Sequence, residues 1–474
     1  MFSPRLNRSA MKFVLAPSLT MILTIGAAIA SGARASATES PTNRPNIILC
    51  MTDDQGWGDV SYNGLKQIET PNLDAMAANG IRFNRFYAAH PSCSPTRASV
   101  MTGRHPYRCG VIWPGMKLRT QEFTIAQAVK RAGYTTGHFG KWHLSGGKPG
   151  AGRALPTDDP LHPGNFGFDY WFTVSNWFDT DWTFSRMGER VTVPGDGSDA
   201  IVAEALTFIE RQAKADQPFL AVVWFGSPHI PLLPTGEDLK TANGHTYYGE
   251  LVGVDRAMGT LRKGLRDLGV AENTMLWFNS DNGAWENPAD GPDHYGSNGP
   301  LRGHKGQIWE GGVRVPGIIE WPARIEKPKV VDVPVVTSDI FPTVIELLNI
   351  NVDDTPQPRD GISILPLIDG RMKTRPKGIG FWHPAKGGIL NDTAAAWLDN
   401  QYKLYQRGPK NFELYDVADD ISEQNDIAAR HPEFVGRMQT ALKRWKESVR
   451  ESYHGQDYEL ADQARPEAKR RSPR

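Results

Sequence analysis

Three short apolar runs, each closed by a polar cluster, constrain this chain more than any other feature. Residues 46–52 lead into Asp53-Asp54-Gln55-Gly56, residues 219–225 into Ser227-Pro228-His229, and residues 274–279 into Ser280-Asp281-Asn282-Gly283. Runs this short, apolar throughout rather than alternating, read as strands buried on both faces. Amphipathic helical patterns at Pro71–Ala78 and 124–132, the second stopped by Gly133, alternate with them. The predicted fold is α/β: a large, mixed but mostly parallel sheet flanked by helices. Such sheets carry their sites beyond the C-terminal strand ends, where these polar clusters fall.

At 474 residues the chain exceeds one minimal core, and its texture changes near residue 350. Short strand patterns at 378–383, 393–398, 402–406 and 412–417, with a turn at Asp399-Asn400, precede an amphipathic helix carrying Phe434, Met438, Leu442 and Trp445. They predict a smaller antiparallel sheet with a helix packed on it. The expected organisation is a leader at 1–37, a catalytic domain at 38–350, a C-terminal subdomain at 351–460 and a disordered basic tail at 461–474.

The leader reading rests on Arg5, Arg8 and Lys12 ahead of an apolar run at 13–30, broken by Pro17 and Ser18, with Ala33-Arg34-Ala35 and Ala35-Ser36-Ala37 as cleavage sites. That layout is a secretory signal peptide, too short for a membrane span, and it implies a periplasmic or secreted protein. Without it the chain keeps 49 basic and 53 acidic residues, a balance that points to neither nucleic acid nor membrane as partner. Cys50, Cys93 and Cys109 are an odd count for an exported chain. Cys50 and Cys109 could pair, and the odd thiol invites the idea that one cysteine is chemically converted.

Cys93-Ser94-Pro95-Thr96-Arg97 places a thiol just before a proline suited to the first turn of a helix. Cys93 then sits at a helix N-terminus, which favours negative charge, and Arg97 lies one turn on. A buried cysteine opening a core helix is the plainer reading of this segment alone. Asp53, Asp54, Asp281 and Asn282 offer hard oxygen ligands at two strand ends, suited to Ca²⁺ or Mg²⁺ rather than zinc. Lys141, His143, His229 and Lys305 follow strands or lie in glycine-rich loops, and together supply cations for an anionic ester and groups for proton transfer.

Taken together, these segments resemble the type I sulfatases, the arylsulfatase-like family of the alkaline phosphatase superfamily. Cys93-Ser94-Pro95-Thr96-Arg97 with Met101-Thr102-Gly103-Arg104 matches the family's Cys-x-Pro-x-Arg signature and its continuation, with Thr at position 96 where many members carry Ser or Ala. The segments 46–58, 133–144, 227–231, 280–283 and 305–316 resemble the family's other motifs, in its order, and Glu413-Leu414-Tyr415-Asp416 resembles its C-terminal strand. The resemblance implies that a formylglycine-generating enzyme oxidises Cys93 to Cα-formylglycine. One hydroxyl of its hydrate would attack the sulfur of a sulfate ester with Asp281 as base, and His143 would deprotonate the other to expel sulfate. Asp53, Asp54, Asp281 and Asn282, beside the converted Cys93, would hold one divalent cation, typically Ca²⁺, with Mg²⁺ the alternative. Arg97 would support that site, Lys141, His229 and Lys305 would bind sulfate oxygens, and His229 or Lys305 would protonate the leaving alkoxide.

The expected activity is therefore hydrolysis of sulfate monoesters, of carbohydrate or aryl type. Relatives that hydrolyse phosphonate monoesters or phosphate diesters use the same aldehyde, and an unoxidised Cys93 would leave a silent binder of sulfated glycans. The segment 176–182, with its aromatic faces and polar edges, and the pair Trp382-His383 are candidates to line a sugar or aryl site.

Overall fold

The computed structural model describes residues 44–147, 150, 152–286, 291, 295–383 and 394–458. The leader and the basic tail expected from the sequence lie outside the described residues. Among those residues, ten strands form one sheet, in the order Lys329–Val331, Ile81–Phe83, Gly317–Glu320, Thr274–Ser280, Asn46–Thr52, Phe219–Trp224, Thr135–Lys141, Tyr170–Val174, Thr183–Arg186 and Glu189–Thr192. The five strands from Thr274–Ser280 to Tyr170–Val174 run parallel, and the Gly317–Glu320 strand pairs antiparallel beside them.

Strand periodicity explains the layering. Ile47, Leu49 and Met51 face one layer, with Trp224, Trp277 and the helix Cys93–Thr102. Ile48 and Cys50 face the other, with Val223, Phe278 and the helices Gly197–Lys214 and Thr246–Asp267. The two faces also separate Cys50 from Cys109, which lies in the first layer, and all three cysteines are free and buried.

The helix Cys93–Thr102 is buried along its whole length, so its sequence lacks an amphipathic stripe. Ser92, in extended conformation, precedes it and Gly103 ends it at φ 70°, the left-handed cap that glycine adopts without strain. Pro95 is the third helical residue, where its missing N–H costs no intrahelical bond.

The predicted C-terminal strands appear as Ile379–His383, Ala394–Asp399, Tyr402–Arg407 and Phe412–Asp416, antiparallel in chain order. The helix Pro432–Tyr453 packs on this sheet through Leu442, Trp445 and Val449. No helix of the described residues is long and apolar enough to cross a membrane.

Candidate active site

Register is what assembles the site. Thr52 is the ladder partner of Ser280, and the Asp281 N–H donates to the Thr52 carbonyl at 3.1 Å. On the other flank the Phe225 N–H donates to the Met51 carbonyl at 2.9 Å and the Asp53 N–H to the Ser227 carbonyl at 3.2 Å. Asp53-Asp54, Ser227–His229 and Asp281-Asn282 therefore leave the sheet at one level, and the next strand over adds Lys141 and His143 to the same rim. Gly283 lets the chain turn away: a Cβ there would meet the Gly311 carbonyl oxygen at 1.8 Å. The N-terminus of helix Cys93–Thr102 points at this rim. One ligand atom each from Asp53, Cys93 and Asp281 lies within 4.8 Å of the others, as do atoms of Asp53, Asp54 and His229.

Three carboxylates face three fixed cations across this rim. Arg97, fully buried over the Trp224 ring, donates to Asp281 at 2.7 Å and lies 3.6 Å from Asp53. Lys141 pairs with Asp53 out of contact with solvent, and Lys305 pairs with Asp54 at 2.6 Å. Lys305 and His229 keep their side chains partly open, 14% and 16% exposed, so they are the basic groups on the solvent side of the pocket.

Burial and charge set the protonation pattern. For Asp53, burial alone would raise the pKa, but Lys141, His229, Arg97 and Lys305 outweigh it and hold the carboxyl well below the usual range. Burial first, and the neighbouring Asp53 charge second, push Asp281 up to about 7. Burial lowers His229 to about 4 and His143 well below its ordinary value, with Lys305 and Lys141 respectively adding to the effect, so both imidazoles are neutral at neutral pH. Burial also raises the Cys93 thiol against the opposing pull of Lys141 and Lys305. A thiol kept protonated is a poor nucleophile as it stands.

Several buried polar atoms at the rim lack a hydrogen-bond partner among the described residues: Asp53 Oδ1, Asn282 Oδ1 and His143 Nδ1. Two orphaned oxygens beside the Asp54 and Asp281 carboxylates form a hard donor set that fits a divalent cation such as Ca²⁺. Asp54 and His143 also hold φ of 66° and 53°, a region non-glycine residues seldom adopt. Asp54 is supported there by Asn282 Nδ2, which donates to its Oδ1 at 2.7 Å, and by Tyr247 Oη, which donates to its carbonyl at 3.0 Å.

All ten residues singled out in the sequence thus come to one rim. The substrate-lining candidates fare differently. Trp382 is fully buried in the core between Tyr107 and Trp445, so only its neighbour His383 faces outward. In the 176–182 segment Phe178 is core, while Asp179 and Thr180 bond Leu233 and brace the loop after His229. Sequence reasoning missed Tyr247, whose support of Asp54 spans 193 positions, and Trp113, which stands alone in a loop with no motif around it.

A family described as Sulfatase matches residues 45–350, and one described as N-sulphoglucosamine sulphohydrolase, C-terminal, matches residues 304–451. The N-acetylgalactosamine-6-sulfatase of Canis lupus familiaris is 34% identical over 410 residues, covering 79% of this chain and 74% of its own. The ulvan-active sulfatase of Formosa agariphila is 30% identical over 455 residues, covering 89% and 84%. The solved structure of Ps i-CgsB in complex with k-i-k-neocarrahexaose superposes with a TM-score of 0.76 at 27% identity, over 90% of this chain and 100% of that one.

Proposed function

The chain belongs to the sulfatase family and hydrolyses sulfate monoesters, and from that premise we propose what it takes as substrate and how its residues act. The substrate is a sulfated carbohydrate. The names of the relatives support this class: a sulfated amino sugar for one, ulvan for another, and a structure in complex with neocarrahexaose. The observation that carries the mechanism is the convergence of Cys93, three carboxylates and the Lys and His side chains on one rim.

Cys93 acts after oxidation to Cα-formylglycine by a formylglycine-generating enzyme, and the hydrated aldehyde supplies the attacking oxygen that its protonated thiol cannot. Asp53, Asp54, Asp281 and Asn282, beside Cys93, would hold one Ca²⁺, or Mg²⁺ in its place, which would supply positive charge to sulfate oxygens and lower the pKa of a nearby hydroxyl. Arg97 fixes Asp281 and Asp53 in place. Asp281, beside Cys93 at the helix N-terminus, takes up the proton of the attacking hydroxyl. His143, neutral and with Nδ1 unpartnered among the described residues, receives the second proton when sulfate leaves. Lys141 and Lys305 draw the sulfate oxygens in, with His229 at the rim. Lys305 is the better proton donor to the leaving alkoxide, because burial pushes His229 down to about 4 and its Nδ1–H is committed to the Ile230 carbonyl at 2.5 Å.

The test is protein co-expressed with the maturing enzyme, with the mass of the Cys93 peptide checked first. It is assayed with Ca²⁺ on N-acetylgalactosamine 6-sulfate, sulfated ulvan and carrageenan oligosaccharides, 4-nitrophenyl sulfate and a phosphonate monoester. Turnover of a sulfated saccharide above the aryl sulfate, lost in Cys93→Ala, is expected. Aldehyde-bearing protein that cleaves the aryl sulfate or the phosphonate and no saccharide would overturn the carbohydrate reading. Export to the periplasm or medium follows from residues 1–37, and an exported chain that still begins at Met1 would refute cleavage there.

A further inference from the structure

We infer that Trp113 and His383 form the platform on which the sugar ring carrying the sulfate lies, Trp113 offering its exposed indole face and His383 its Nδ1. This rests on the carbohydrate reading above and adds the residues that would hold the sugar. Trp113 is 44% exposed, unusual for so large an apolar side chain, and it stacks on His383 with ring centroids 5.7 Å apart and planes at 23°. One face of the indole is thus supported by the histidine while the side chain remains open to solvent.

The pair is tied to the catalytic helix from two directions. The Gly115 N–H, two residues after Trp113, donates to Ser94 Oγ at 2.8 Å, and the same loop pairs Lys117 with Ser145 beyond His143. On the other side the His383 ring lies 5.5 Å from that of His90, whose Nδ1 bonds Ser92 Oγ at 2.7 Å. Ser92 and Ser94 are the neighbours of Cys93, so the platform is held to both sides of the nucleophile. Gly115 also lies against the His143 ring, where a Cβ would come within 4.0 Å of Nε2.

The chemistry of the pair suits a pyranose. An indole face covers the apolar C–H face of a sugar, and a ring nitrogen beside it can bond a hydroxyl at the edge. His383 Nδ1 is buried and has no hydrogen-bond partner among the described residues, so it is ready for one.

The experiment uses the aldehyde-bearing, Ca²⁺-supplemented enzyme and the panel saccharide that wild type turns over best. Trp113→Ala is expected to raise KM about tenfold, a loss of ~1.4 kcal/mol, with kcat changed less than about threefold. Trp113→Phe should recover most of that loss and His383→Ala should raise KM in the same direction. Calorimetry with the same saccharide on a Cys93→Ala background should show the same loss of affinity on adding Trp113→Ala. Unchanged thermal midpoints confirm folding. An unaltered KM and affinity in Trp113→Ala would overturn the platform while leaving the carbohydrate reading intact. Wild type that cleaves only the aryl sulfate would remove both.

Discussion

Replacing Lys403 with Met tests how the smaller sheet holds the loop that carries Lys305. The Lys403 ammonium lies 3.0 Å from Glu310 and 2.9 Å from Glu423, and all three side chains are fully buried. Glu310 also accepts from Tyr87 Oη at 2.8 Å and faces Arg314 at 3.5 Å, whereas Glu423 Oε2 accepts from the Glu310 N–H at 2.7 Å. Met keeps the length and volume but not the charge, so two buried carboxylates are left to one guanidinium. Breaking a buried ion pair from one side costs about 3–5 kcal/mol. The acids escape part of that cost by taking up a proton. Glu423 already stands near 7 through burial despite Lys403, while Glu310 is held below its ordinary 4.5 chiefly by Lys403 and Arg314, against burial. Without Lys403 the folded variant binds about one proton more than wild type above the unfolded glutamate pKa. The deficit therefore grows as pH rises, by about 1.4 kcal/mol per unit while that proton is held. Guanidinium unfolding followed by tryptophan fluorescence should show a deficit of about 4 kcal/mol at pH 7.5 and about 1 kcal/mol at pH 5. Combining Lys403→Met with Glu310→Gln and Glu423→Gln should restore most of the stability. A deficit below about 1 kcal/mol at pH 7.5, or one as large at pH 5, would refute this reasoning. Because the Glu423 carbonyl also accepts from Arg302 at 2.9 Å, and Arg302 in turn accepts the Gly311 N–H, the folded variant should lose kcat/KM as well.

His105, enclosed between Tyr107 and Trp445, is pushed down to about 3 by burial, so the unfolded chain binds a proton below pH 6.5 that the folded chain refuses. Stability should fall by about 2 kcal/mol between pH 6.5 and 5 on this account, and His105→Gln should flatten that slope in paired denaturation curves. Trp382→Ala should cost about 3–5 kcal/mol as a core truncation while leaving KM for the saccharide unchanged in whatever fraction folds, the opposite pattern to Trp113→Ala. Lys305→Ala removes a cation that shares Asp54 with the proposed Ca²⁺, so calorimetry should show tighter Ca²⁺ binding together with a raised KM for sulfate esters. Weaker Ca²⁺ binding in that variant would contradict the competition.

The parallel core was legible because strands buried on both faces are apolar throughout, and the small sheet because its strands and helix carry ordinary periodicities. Eight of the ten rim residues were legible for a related reason: each ends or follows a strand or sits in a glycine loop, and a parallel sheet delivers such ends to one side, while Cys93 and Arg97 were legible from the helix start that Pro95 marks. What the sequence did not carry was distance-dependent. Nothing local marks Tyr247 as the support of Asp54, 193 positions away. Trp382 and His383 are adjacent in a strand and so face opposite sides, yet which of them is core depends on where Trp445 packs. Cys50 and Cys109 looked pairable only until the sheet was seen to pass between their layers.

The charge arrangement also links the cation to the substrate. Lys141 and Lys305 pair with Asp53 and Asp54, the carboxylates proposed to hold the cation, so a cation held there would compete with both ammonium groups for the same acids. If those carboxylates hold the proposed divalent cation, they would need the two ammonium groups less, and the rim would become more positive. A sulfate group then meets free N–H donors and a positive field at once, in a buried place where both act strongly. Arg97 does not take part in that exchange: fully enclosed over Trp224 and 2.7 Å from Asp281, it keeps the carboxylates aligned in either state. On the proposed cation site, binding of substrate would depend on the cation, which is why Lys305→Ala should separate the two affinities in opposite directions.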